Sequence, residues 1–231
     1  MHDFGKIVYL DLHKTGSAFT SKFLRSCCLL KEKKFSKHGF IKEDYDSNNF
    51  YFITIRHPVQ LYSSLFRYGL DEKGDVWNRL RNSNNLSVYS SFNSFVEFCI
   101  DESNANLLGY GYNEIYAKHI GFMSFRFLKL SLQFPSRKIL HTIKTKANIE
   151  DLENLFITNL EIKNENLIDE LRVLATEIHP KYFKQDAVND FLNKTERLNT
   201  SSTKANTVDG LSDKTRSILN IKERLLFSRY Q

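Results

Sequence analysis

The sequence predicts an α/β protein, a parallel sheet flanked by helices, with a helical insertion over about residues 82–150 and a helical C-terminus. Two strand–turn–helix units follow one another near its start, and units in that order form a parallel sheet through right-handed crossovers. Composition agrees, since 19 Phe and 11 Tyr beside nine Gly and three Pro point to a helix-rich chain with few loops. At 41% hydrophobic content a chain of 231 residues can bury a core, and residues 1–231 read as a single domain.

The elements follow in order. Lys6 to Leu12 is a short β-rich run that ends in the turn His13 to Ser17. Ala18 to Leu30 carries Phe19, Phe23, Leu24 and Cys27 at helical spacing, and Phe35 to Ile41 is a second short strand. Phe50 to Arg56 (FYFITIR) is the clearest strand, bounded by Asn48-Asn49 and by Pro58, and Val59 to Tyr68 is the helix after that proline. Asn82 to Ser94 is polar and reads as loop, with helical patterns at Phe95 to Glu102 and from Glu114 to Phe134. The sheet resumes at Leu155 to Ile162, followed by an amphipathic helix over Asn164 to Ile178. An Asn/Thr/Ser cluster, Asn199 to Asn206, precedes two helical stretches that end at Tyr230.

Charge and composition exclude some classes of function. A formal net charge of +6 suits an anionic ligand, a nucleic acid or an anionic membrane surface without choosing among them. The one basic run, Lys31 to Lys37, reads as a solvated face. Three cysteines, two of them adjacent, make neither a disulfide framework nor a zinc site, and the scattered histidines show no metal-ligand spacing. The first residues show no signal-peptide core, and Arg126 and Lys129 break the most apolar stretch, so the expected location is the cytoplasm, with no integral membrane contact.

Chemistry concentrates at "HKTGSAFT", His13 to Thr20. In parallel sheets ligands settle at the carboxyl ends of strands, where exposed helix amides and the helix dipole attract anions. Thr15, Gly16 and Ser17 suit such a turn, because Gly16 lets backbone approach closely and the hydroxyls add donors. The lysine, Lys14, stands before the only glycine, so the nucleotide-triphosphate pattern G-x-x-x-x-G-K-[ST] is absent, and with it the magnesium-binding hydroxyl. At the second unit, Arg56-His57-Pro58 ends a strand and a helix follows with Ser63 and Ser64 on its near face. An Arg fork with a helical hydroxyl clamps a second anionic group, so the two strand ends together imply a ligand with two separated phosphates.

These residues resemble the sulfotransferases that use 3′-phosphoadenosine 5′-phosphosulfate (PAPS), the bacterial carbohydrate-type members most of all. Lys14-Thr15-Gly16-Ser17-Ala18-Phe19 is similar to the family's 5′-phosphosulfate loop, and Arg56-His57-Pro58 with Ser64 to its 3′-phosphate site. Leu155 to Ile178 matches the family's later strand and helix more loosely. The resemblance implies a P-loop-like sheet and a transfer that requires no metal, with PAPS as sulfuryl donor and 3′,5′-adenosine bisphosphate (PAP) as product. It implies that Lys14 meets the bridging oxygen, that Thr15, Gly16 and Ser17 hold the 5′-phosphate, and that Phe19 stacks on adenine. By the same resemblance Arg56 and Ser64 would bind the 3′-phosphate, and Ala18 stands where the family usually has a hydroxyl residue. His38, after Lys37, fits the slot of the base, whereas His13 shapes the turn and His57 belongs to the Arg-His-Pro turn. Asn199 and Ser201 match a C-terminal nucleotide contact of some carbohydrate sulfotransferases.

The implied activity is in-line transfer of a sulfuryl group to a hydroxyl or amine, with a carbohydrate as expected acceptor and no nucleic acid partner. Two alternatives stand beside it. A P-loop nucleotide or small-molecule kinase needs a Lys after the Gly and an acidic magnesium site. A non-catalytic nucleotide or nucleic-acid binding module has only the positive charge behind it.

Overall fold

The structure, a computed structural model, describes residues 1–41, 45–133, 151–194 and 210–230. They form two compact units. The first holds the described residues of Met1–Arg56, Leu130–Phe134 and Phe156–Thr200, the second those of His57–Lys129, Pro135–Leu155 and Ser201–Gln231.

The first unit is built on a five-stranded mixed sheet. Its strands are β1 (His2–Asp3), β2 (Ile7–Leu10), β3 (Lys34–Phe35), β4 (Phe50–Ile55) and β5 (Leu160–Lys163), in the spatial order β3-β1-β2-β4-β5. Strands β2, β4 and β5 are parallel, while β1 runs antiparallel to both β2 and β3. The expectation of an all-parallel sheet is corrected here. Gly5, at φ 86°, turns the chain back on itself, and the Phe4 N–H donates to the Ile7 carbonyl at 2.9 Å, so the first residues pair as a hairpin. A two-residue strand is too short to show a period. The expected strand over 35–41 shrinks for a related reason, since only Lys34 and Phe35 reach β1.

All four residues of β2 are buried, which explains its unbroken apolar reading. Helix α1 (Ser17–Cys27) and the helices Leu167–Val173 and Gln185–Lys194 share one core with the sheet, centred on Tyr9, Phe23, Phe52, Ile162 and Leu171. The expected helix over 164–178 is present in three pieces: a 3₁₀ turn at Asn164–Asn166, an α-helix, and a single π turn at Leu174–Ile178. Helix Gln185–Lys194 was not anticipated. The expected strand over 155–162 begins only at Leu160, and the residues before it pair through Asn159, whose side-chain oxygen accepts from the Tyr51 N–H at 2.8 Å. Midway along α1, the Ser21 hydroxyl meets the imidazole of His2 (2.7 Å), whose other nitrogen meets Glu32 (2.6 Å), fixing the helix to β1.

The described part of the second unit is helical. Helix α2 (Pro58–Leu70) starts at the proline, as the sequence predicts. The polar stretch expected as loop instead holds the end of a helix, Asp75–Asn82, and a 3₁₀ segment, Leu86–Ser90. The helix after it starts at Phe92, where the Ser91 hydroxyl caps it by accepting from the Ser94 N–H at 3.0 Å. The helical pattern expected from about Glu114 to Phe134 is present as two separate helices, Glu114–Ala117 and Phe122–Ser131.

The break has a specific cause. Glu223 is fully buried and accepts from four donors: the Tyr62 hydroxyl (2.6 Å), the Met123 N–H (3.0 Å), and the Ser124 N–H (2.8 Å) and hydroxyl (2.6 Å). It thereby caps the helix Phe122–Ser131 from a hundred residues away, and burial still pushes its carboxyl above the ordinary range. A Cβ on Gly121 would collide with that carboxylate. No helix among the described residues is long and apolar enough to cross a membrane.

Glu223→Ala leaves several buried donors without an acceptor and should cost about 3 kcal/mol or more in urea unfolding. Glu223→Gln, which keeps one oxygen, should cost clearly less. A second expectation concerns His2, whose burial lowers its pKa from the ordinary 6.5, with the Glu32 hydrogen bond opposing. The unfolded ring binds its proton first, so the stability His2 contributes is present above pH 6.5 and lost as pH falls below it. The stability gap between wild type and His2→Gln should therefore narrow from pH 7.5 to pH 5.5.

Candidate functional site

Three parallel strands end at one edge of the sheet, and side chains at the ends of β4 and β5 reach the turn between β2 and α1. The turn itself is Asp11 to Gly16. Lys14 (φ 63°) and Gly16 (φ 92°) adopt left-handed backbone, and α1 begins directly after Gly16 with no side chain capping it. Left-handed Gly16 followed by right-handed Ser17 turns consecutive amides toward one concavity, and the first-turn amides of Ser17, Ala18 and Phe19 have no intrahelical acceptor. That is an anion cradle in form.

The cradle is fixed from beneath. The Thr15 hydroxyl donates to the Leu12 carbonyl at 2.8 Å, so at 2.7 Å it must accept from the Thr54 hydroxyl on β4. Thr54 has then spent its proton, and Tyr9 must donate to it across their 2.7 Å contact. The ladder runs one way, Tyr9 to Thr54 to Thr15 to the Leu12 carbonyl, entirely in the interior. From β5, the Asn164 side-chain amide donates to the Thr15 carbonyl at 3.1 Å. From β4, Arg56 reaches the Lys14 carbonyl at 3.4 Å.

A second feature lies on the same strand end. Ser36 to Gly39 is a β-turn closed by the Gly39 N–H on the Ser36 carbonyl at 2.8 Å, with His38 in left-handed backbone (φ 52°). Its Nδ1 lies 3.0 Å from the Asp11 carbonyl and 3.1 Å from the Asp11 carboxylate. Both neighbours only accept, so Nδ1 carries the hydrogen and, in the neutral ring, Nε2 holds the lone pair. The rings of His13 and His38 stack with centroids 3.2 Å apart. Asp11 is buried, which would raise its pKa, but the hydrogen bond and charge of His38 hold its carboxyl below the usual range.

The structure thus brings Lys14, Thr15, Gly16, Ser17, Ala18, Arg56 and His38 to one edge of the first unit. Two expected roles are corrected. Thr15 is fully buried and its hydroxyl belongs to the ladder, so that hydroxyl is not a ligand donor. Phe19 is 7% exposed and packs edge-on to Phe191 in the core, so it has no open face for a base. Ser64 sits on α2 in the second unit, half-buried. His57 packs edge-on to Phe227 and Tyr230 there. Asn199 and Ser201 lie outside the described residues.

Sequence reasoning missed Asp11, Thr54 and Asn164. Asp11 carried a signal, an acid closing an otherwise apolar strand. Thr54 and Asn164 carried none, since their roles depend on strand pairing. No family model, curated protein or solved structure matches the chain.

Gly16→Ala should cost about 2 kcal/mol or more in thermal or urea unfolding, because the left-handed backbone strains any Cβ. The added carbon would also stand 2.7 Å from Leu167 Cδ2 and 2.8 Å from Asn164 Nδ2.

Proposed function

We propose that this protein is a sulfotransferase that moves a sulfuryl group from PAPS to a hydroxyl acceptor, with a carbohydrate the favoured class. One observation carries the reading: an anion cradle that begins with a lysine shares its strand end with a histidine whose Nε2, in the neutral ring, holds the lone pair. A donor whose leaving group is a phosphate and an acceptor that must lose a proton need those two things side by side.

In the reaction the acceptor oxygen attacks sulfur in line with the bond to the bridging oxygen. As the new S–O bond forms, the old one breaks and its electron pair stays on the 5′-phosphate of PAP. Lys14 and the amides of Ser17 and Ala18 stabilise that charge, and Arg56 holds the separate 3′-phosphate. The acceptor proton passes to His38 Nε2. Alignment and electrostatics supply the catalysis, as in phosphoryl transfer. Gly16 gives the backbone room to close on the 5′-phosphate.

PAP at about 100 times its dissociation constant should stabilise the folded chain by about 2.7 kcal/mol, a rise of about 5–10 °C in melting temperature. Mg-ATP should give no comparable rise, and Lys14→Ala should lose sulfuryl transfer from PAPS while keeping its fold by circular dichroism. Stabilisation by Mg-ATP alone would identify a kinase and sink the reading.

A further inference from the structure

We infer that Asp11 is the positioning residue of His38, a two-point clamp that presents the Nε2 lone pair outward. This inference rests on the sulfuryl-transfer reading for its chemistry, and on geometry alone for the clamp.

The carboxylate oxygen Oδ2 of Asp11 engages two groups of His38 together, the backbone N–H at 3.3 Å and ring Nδ1 at 3.1 Å. One oxygen therefore bears on both the left-handed backbone and the ring orientation. The Asp11 carbonyl, at 3.0 Å, adds a second acceptor for the same Nδ1–H, and the stacked His13 ring fixes the plane. Asp11 and His13 both come from the chain just beyond β2, so the segment that shapes the anion cradle also sets the base. His38 itself lies in a turn with exposed neighbours, Ser36 and Lys37, that do not hold a ring in place by packing. The Asp11 carboxylate is the acceptor for its amide. When Nε2 takes the acceptor proton, the ring becomes a cation, and the buried carboxylate is already beside it.

The clamp can be read without any substrate. In the ¹⁵N-labelled full chain, at a pH where the ring is neutral, His38, assigned by loss of its signals in His38→Gln, should show Nδ1 protonated and Nε2 bare. Asp11→Leu should release the ring, seen as tautomer averaging with Nε2 partly protonated. A bare Nε2 that persists unchanged in Asp11→Leu, or a neutral wild-type ring that carries its hydrogen on Nε2, would overturn the clamp.

Its catalytic consequence is read with PAPS and water as acceptor, following PAP release. Asp11→Asn, nearly the same shape, covers the case in which Asp11→Leu does not fold. It should lower turnover about 10- to 100-fold, the rate equivalent of one lost charged hydrogen bond. Its stabilisation by PAP should be unchanged, and adding it to His38→Ala should cause no further loss, since it acts through that ring. Wild-type turnover in Asp11→Asn, or an equal further loss on the His38→Ala background, would overturn the positioning role. Failure of PAP to stabilise the wild type is a separate result that counts against the donor reading, and the ring spectrum then decides the clamp by itself.

Discussion

The hydroxyl ladder from Tyr9 through Thr54 to Thr15 is the constraint on which the carboxyl edge of the sheet depends. Each hydroxyl has a single proton, and the fixed end at the Leu12 carbonyl gives all three bonds their direction. Because Tyr9 is on β2 and Thr54 on β4, the ladder ties the turn to the register of a parallel pair rather than to its own sequence. Burial pushes the Tyr9 phenol well above its ordinary range, so it stays a donor throughout the range in which proteins fold. A turn held this way can keep two left-handed residues, Lys14 and Gly16, without a side-chain cap on the helix that follows.

From that fixed turn the rest of the edge is organised outward. Asn164 at the end of β5 and Arg56 at the end of β4 both meet its carbonyls, which leaves its amides directed the other way. Asp11 begins the same segment and reaches back to the turn at Ser36–Gly39. Cradle and imidazole therefore share a foundation. In the proposed chemistry that is useful, because in-line displacement tolerates little error between the group that holds the leaving phosphate and the group that removes the proton.

Much of this was legible in the sequence. The apolar run ending at Leu12, the single glycine at position 16, the proline at 58 and the arginine at 56 located β2, α1, β4 and α2, and the edge at which β2 and β4 end. What could not be read were roles set by partners far along the chain. Thr15 reads as a ligand hydroxyl until Thr54 is found beside it, and Phe19 reads as a stacking ring until Phe191 covers it. The helix at Gln185–Lys194 did carry a signal, with Val188, Phe191 and Leu192 at helical spacing among polar residues. The hairpin of β1 and the split at Gly121 carried almost none, one because two residues show no period, the other because its cause is Glu223.

That distant carboxylate has a consequence for how the chain is made. A ribosome delivers the first turn of helix Phe122–Ser131 long before it delivers Glu223, and Tyr62 waits still longer for the same partner. Until then the amides of Met123 and Ser124 must face water or pair elsewhere, in a neighbourhood meant to be dry. The first unit has a similar delay, because β5 joins β4 only after more than a hundred intervening residues. Both units therefore close late, through long-range contacts, which is the pattern of slow folding with apolar surface exposed in the interval. A nascent chain of this kind relies on its surroundings, by chaperone or by dilution, to reach residue 223 unaggregated.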